Sequence, residues 1–152
     1  MEFAFTVLRQ TRENVLGVLD SHSLEELNTI PDGFSNNLIW NSTHIAVTQQ
    51  LLVYGLSGLP LLIPAEVVTA YRKGTRPEGA VTAEEAEQVK AWLRELPDQT
   101  MSDIREGKFQ QFRSYDTSYG VALNSLEEAI AFNNSHEALH LGYMMSLRKA
   151  IG

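Results

Sequence analysis

Ser135-His136-Glu137-Ala138-Leu139-His140-Leu141-Gly142-Tyr143 holds two of the four histidines of the chain, four positions apart. On an α-helix that spacing puts two side chains on one face, one turn apart, so both imidazoles can address one atom. Leu126, Ala129, Phe132, Met144, Leu147 and Ile151 recur at three- and four-residue steps through the same segment and predict a helix. At about 100° per residue, His136 and His140 fall in the middle of that apolar stripe. Imidazoles in a buried stripe need partners, because burying an unpaired polar group costs free energy. A metal ion is one partner; a backbone carbonyl or a carboxylate is another.

Outward from this stretch, three more helices are predicted. The histidine helix itself opens at Ser125, with Glu127 and Glu128 in its first turn, and runs to about Lys149, where Arg148 and Lys149 suit the negative end of its dipole. Residues 36–58 read as a second long helix, capped by Asn36 or Ser35. Trp40, His44, Val47, Thr48, Leu51, Leu52 and Gly55 share one of its faces, with His44 at the centre. Residues 82–106 form a third, opened by the capping-box pair Thr82 and Glu85, with Pro97 expected to kink or break it. Residues 2–20 form the first, with Ala4, Val7, Leu8, Val15, Val18 and Leu19 inward and Arg9, Arg12 and Glu13 outward. His22 follows in a Ser-His-Ser turn, read as an exposed loop residue. Residues 23–36 look irregular, with one helical turn at Leu24–Leu27. Residues 59–80, rich in Pro and Gly, form a long connection with a helical turn at Pro64–Tyr71, and residues 108–124 a packed aromatic loop. A connection as long as 59–80 suits a bundle whose second and third helices run parallel.

Composition narrows the function. A chain of 152 residues makes one domain, 1–152, with a core large enough to need no staples. It has no cysteine, so any metal must be held by His, Asp, Glu, Asn or water. A net charge of −7, from 19 acidic and 12 basic residues, argues against a nucleic-acid partner. The N-terminus has neither the basic region nor the apolar run of a signal peptide, and the stretch Leu56–Ile63 is too short and too broken to span a bilayer. The expectation is a soluble cytoplasmic protein with no nucleic-acid and no membrane partner.

His44, His136 and His140 lie on two inward stripes and make the main constellation. Three neutral imidazoles suit Zn²⁺, Ni²⁺ or Fe²⁺ and leave a fourth position to water or substrate. Asn37, Asn41, Thr48, Asn133 and Glu137 are in register to bind the other ring nitrogens. His136-Glu137-Ala138-Leu139-His140 also matches the metalloprotease helix motif, with Glu137 as base. Against that reading, no His, Glu or Asp follows His140 to serve as third ligand, and no alternating strands shape a cleft.

Asn37, Trp40, Asn41 and His44 on one helix, with Asn133, His136, Glu137, His140, Gly142 and Tyr143 on the last, resemble the DinB-like (DNA-damage-inducible) metal-binding four-helix-bundle superfamily, which includes YfiT-like metal-dependent hydrolases. The resemblance spans nearly the whole chain. It implies an all-α, up-down-down-up four-helix bundle with a long crossover between the second and third helices. It implies a divalent metal, nickel or zinc, at His44, His136 and His140, and a homodimer. Some members of that group act with low-molecular-weight thiols, so the resemblance implies a small-molecule substrate. One function that follows is a metal-dependent thiol S-transferase or hydrolase, the ion lowering the pKa of a thiol or water and Glu137 or Tyr143 moving the proton. The alternatives are a non-catalytic metal-binding or stress-response homodimer, and a structural dimer whose histidines only hydrogen-bond. The pocket walls are expected from Tyr71, Arg72, Phe112 and Tyr115.

Overall fold

Apolar residues at helical spacing build four long helices in the computed structural model, which describes all residues 1–152. They are α1 (Glu2–Asp20), α3 (Leu38–Gln50), α5 (Ala83–Arg105) and α6 (Leu126–Ile151). Two short helices, α2 (Leu24–Asn28) and α4 (Ala65–Tyr71), lie in the connections. The protein is all-α apart from one two-stranded ribbon. The starts are set by side-chain caps. Thr82 and Glu85 form the expected capping box, and the Ser125 hydroxyl accepts from Glu128 N–H. The cap of α3 is Asn37, one residue beyond the expected pair, because its side-chain oxygen reaches Trp40 N–H at 2.8 Å.

Cross-helix pairs fix the chain directions. Between α1 and α5 the pairs are Glu2 with Arg105, Arg9 with Asp98 and Asp20 with Lys90, so these two run antiparallel. Gln49 with Thr100 and Tyr54 with Asp103 make α3 and its extension parallel to α5. Asn41 with His140 and His44 with His136 make α3 antiparallel to α6. Ala4 with Asn134 and Arg12 with Glu137 make α1 parallel to α6. Each long helix thus packs on two neighbours in the ring α1, α6, α3, α5. The crossover that carries α4 joins the parallel α3 and α5.

Two expectations change in detail. Pro97 neither breaks α5 nor ends it; the helix is continuous from Ala83 to Arg105. The second helix leaves α geometry early, turning π-helical over Leu51–Gly55 before Gly58, at φ +70°, reverses the chain. The aromatic loop also holds structure of its own: β1 (Tyr115–Asp116) pairs antiparallel with β2 (Ala122–Leu123), Tyr115 opposite Leu123. Leu123 is the buried end of that ribbon and packs with Leu52, Leu56 and Ala129.

The main core lies between Val15, Leu19, Leu38, Ile45, Leu93, Met144 and Leu147. Each such side chain contributes roughly 1.5–3 kcal/mol by leaving water. The inward stripe of α1 corrects the sequence reading. Phe5 and Arg12 are fully buried, while Val7 is exposed. On α6 the innermost line is Ile130, Asn133, Glu137, Met144 and Leu147, so the histidines flank the centre and the acid occupies it.

Candidate metal centre

His44 projects from the middle of α3 and is buried; His136 and His140, one turn apart on α6, are half-buried beside it. The antiparallel packing of α3 on α6 brings all three to one level. Ring centroids are 5.2 Å apart for His44 and His136, 4.7 Å for His44 and His140, and 4.5 Å for His136 and His140. One ligand nitrogen from each ring lies within 4.8 Å of the others. The three residues expected to converge do converge.

Hydrogen bonds orient the rings. A carbonyl oxygen only accepts, so His44 Nδ1 donates to Tyr71 O at 2.7 Å and keeps its lone pair on Nε2. Asn41 Nδ2 donates to Asn36 Oδ1 and to Asn37 O, which leaves Asn41 Oδ1 to accept from His140 Nδ1 at 2.8 Å. His140 therefore also keeps a bare Nε2. His136 Nε2 faces His44 Nε2 at 3.3 Å, and its Nδ1 is buried without a partner. Two ligands at about 2.0–2.1 Å from a tetrahedral zinc-sized ion lie about 3.3–3.4 Å apart. The His44–His136 separation is of that size, and the donor set suits Zn²⁺, Ni²⁺ or Fe²⁺.

The rings are held neutral, as ligands must be. Burial, reinforced by the neighbouring imidazoles, lowers His136 to about 3. Burial and His44 lower His140 to about 4. Burial also lowers His44, against the opposing bond to Tyr71 O. Trp40 stacks on His44, 4.7 Å away and 10° from parallel, and fixes its plane.

Other expected residues are placed differently. Of the five side chains in register for the ring nitrogens, Asn41 takes that part; Thr48 Oγ1 stands 3.4 Å from His44 Nε2, at the edge of bonding range. Asn37 caps α3, and Asn133 donates to Glu137. Glu137, expected as a base, lies apart from the rings' open side. Its carboxylate is fully buried on the core side of α6, receives Arg12 Nε at 2.6 Å and Nη2 at 2.7 Å, and lines neither cavity at the histidines. Tyr143 does face the larger cavity, edge-on to Phe34 at 5.6 Å. His22 stays outside the cluster. It is half-buried rather than exposed, its Nδ1 bound to Val18 O at 2.7 Å.

Two adjoining cavities open at the rings. The larger, about 640 Å³, is lined by all three histidines with Trp40, Leu139 and Tyr143. The smaller, about 320 Å³, reaches His44 and His136 and extends along the π-helical turn to Arg72, Arg113 and Tyr115. Arg72 and Tyr115 are thus walls, as expected. Tyr71 instead supplies its carbonyl, and Phe112 packs against the cluster around Leu52.

A sequence profile of the DinB superfamily matches residues 7–144. No curated protein matches the chain. Among solved structures, a conserved protein from Enterococcus faecalis superposes with a TM-score of 0.61 at 16% identity, covering 99% of this chain and 95% of that one. That likeness shows a shared fold. No helix is long and apolar enough to cross a membrane.

Proposed function

The chain belongs to the DinB superfamily, and on that premise we propose that it is a divalent-metal-dependent enzyme of the thiol S-transferase or hydrolase type. His44, His136 and His140 would hold the ion, nickel or zinc. When bound, the ion supplies Lewis acidity that lowers the pKa of a thiol or water beside it. The protein's own residues do the rest. Tyr71 O and Asn41 hold two rings in the tautomer that presents Nε2. Trp40, Leu139 and Phe132 give the larger cavity apolar walls. Tyr143 lines the same cavity and would move a proton to or from a reacting thiol or water.

The observation that carries this reading is the open side of the cluster. No fourth His, Asp or Glu joins the three rings, and they border a cavity large enough for a small molecule. A non-catalytic ion store needs a closed ligand set and no such cavity, so the geometry favours the enzyme. A cytoplasmic homodimer belongs to the same proposal, and light scattering tests the dimer.

The test is catalysis by untagged, zinc- or nickel-loaded protein in two assays: transfer of cysteine or glutathione sulfur to monobromobimane, and hydrolysis of p-nitrophenyl acetate. Acceleration in one of them that disappears on chelation and in His140→Ala supports the proposal. Rates equal to buffer in both, with the metal demonstrably bound, contradict it and leave the ion-store reading.

A further inference from the structure

The charge around the two cavities runs against that of the chain. The protein has 19 acidic and 12 basic residues, yet the cavity walls include Arg72, Lys73 and Arg113 and not one carboxylate. Neither Arg72 nor Arg113 pairs with any Asp or Glu. Lys73 reaches only the neutral hydroxyl of Ser118. The backbone under these cations is anchored. Arg72 N–H donates to Val68 O at 3.0 Å, and Arg72 O accepts from Thr75 Oγ1 at 2.7 Å. Arg113 N–H donates to Leu56 O at 2.7 Å, tying the aromatic loop to the π-helical turn. The cations thus come from two separate connections and meet at one cavity, which reaches His44 and His136.

We infer that the smaller cavity is an anion subsite that takes a carboxylate or phosphate group of the substrate. Two guanidinium forks match a planar carboxylate or a phosphate with paired N–H donors. Lys73 lines both cavities and adds a third donor. A cleft lined by one sign of charge also concentrates ligands of the other sign, although the protein as a whole repels them. The substrate is then a small anion whose charged end lies between Arg72 and Arg113 and whose reacting atom lies at the histidines. The second half of that statement rests on the metal-dependent reading; the anion subsite does not.

Calorimetric titration of the full chain with succinate and with inorganic phosphate tests it, once zinc-loaded and once after chelation. The uncharged succinamide serves as control. Arg72→Gln and Arg113→Gln are the variants; both side chains are exposed, so the fold is retained. Arg94→Gln, exposed on α5 and remote from either cavity wall, is the reference. A lost charge-assisted hydrogen bond predicts about tenfold weaker anion binding for each cavity variant. Affinity also falls with added salt, and Arg94→Gln changes nothing. Preference for phosphate or for succinate assigns the group. Failure of both anions to bind at about 10 mM, or equal binding by the cavity variants and wild type, overturns the subsite. Anion binding that persists in protein unable to take up zinc or nickel leaves the subsite standing and removes the metal reading. Zinc uptake without anion binding does the reverse.

Discussion

Arg12 and Glu137 make a buried ion pair whose removal is the sharpest test of how the bundle is held. Both side chains are essentially inaccessible, and the contact is bidentate at 2.6 and 2.7 Å, with Asn133 Nδ2 adding a third bond to Glu137 at 2.9 Å. Glu137→Ala leaves a guanidinium buried without its counter-charge, which costs about 3–5 kcal/mol. For a chain of this length, at about 2–4 °C per kcal/mol, Tm falls by roughly 10 °C. Arg12→Ala is expected to match it. Replacing both, as Arg12→Met with Glu137→Leu, removes two desolvated charges together. Arg12 Nη1, already buried without a partner, goes with them. The double variant should recover most of the loss, because well-packed apolar pairs are often as stable as buried ion pairs. Urea denaturation followed by circular dichroism, with the singles Arg12→Met and Glu137→Leu completing a double-mutant cycle, reads the coupling directly. The double variant should still bind metal, since Glu137 faces the core and not the cavities. Single losses below about 1 kcal/mol, or additive losses in the double variant, would refute the reasoning.

Asn41→Ala removes the acceptor that fixes His140, so metal affinity should fall about 10–100-fold with an unchanged helix content; a competition assay with a chromophoric chelator measures it. In metal-free protein, His136 near 3 and His140 near 4 titrate below the ordinary imidazole value of about 6.5 that they regain on unfolding. Between about pH 6.5 and 4 the unfolded chain therefore binds protons that the folded chain does not, so stability falls on acidification, with a slope approaching about two protons from these rings. Urea midpoints from pH 7.5 to 4.5 should show that slope in wild type and a flatter one when both rings are replaced by Asn. Equal slopes contradict it.

The bundle and the triad were legible because each rests on periodicity within one helix, and the long 59–80 connection already marked the second and third helices as parallel. What periodicity missed depends on a partner element. Arg12 reads as a surface cation on its own helix, and only α6 shows that Glu137 holds it inside. Glu137 reads as a base beside two ligands, yet it sits one position along the helix from His136 and so points at the core. Tyr71 reads as a pocket wall, whereas its backbone carbonyl binds His44, and a carbonyl carries no side-chain signal. Pro97 tolerates a continuous helix because the residues around it, Leu93, Leu96, Thr100 and Met101, are buried in the packed core, where tertiary contacts outweigh one missing N–H.

The proposed catalysis depends on three imidazoles sharing one divalent ion, and metal content tests that most directly. Mass spectrometry of the metal in protein purified without a histidine tag should find about one nickel or zinc per chain in wild type, and none in His140→Ala at unchanged helical circular dichroism. Full occupancy in that variant, or none in wild type after incubation with either metal, would contradict the account.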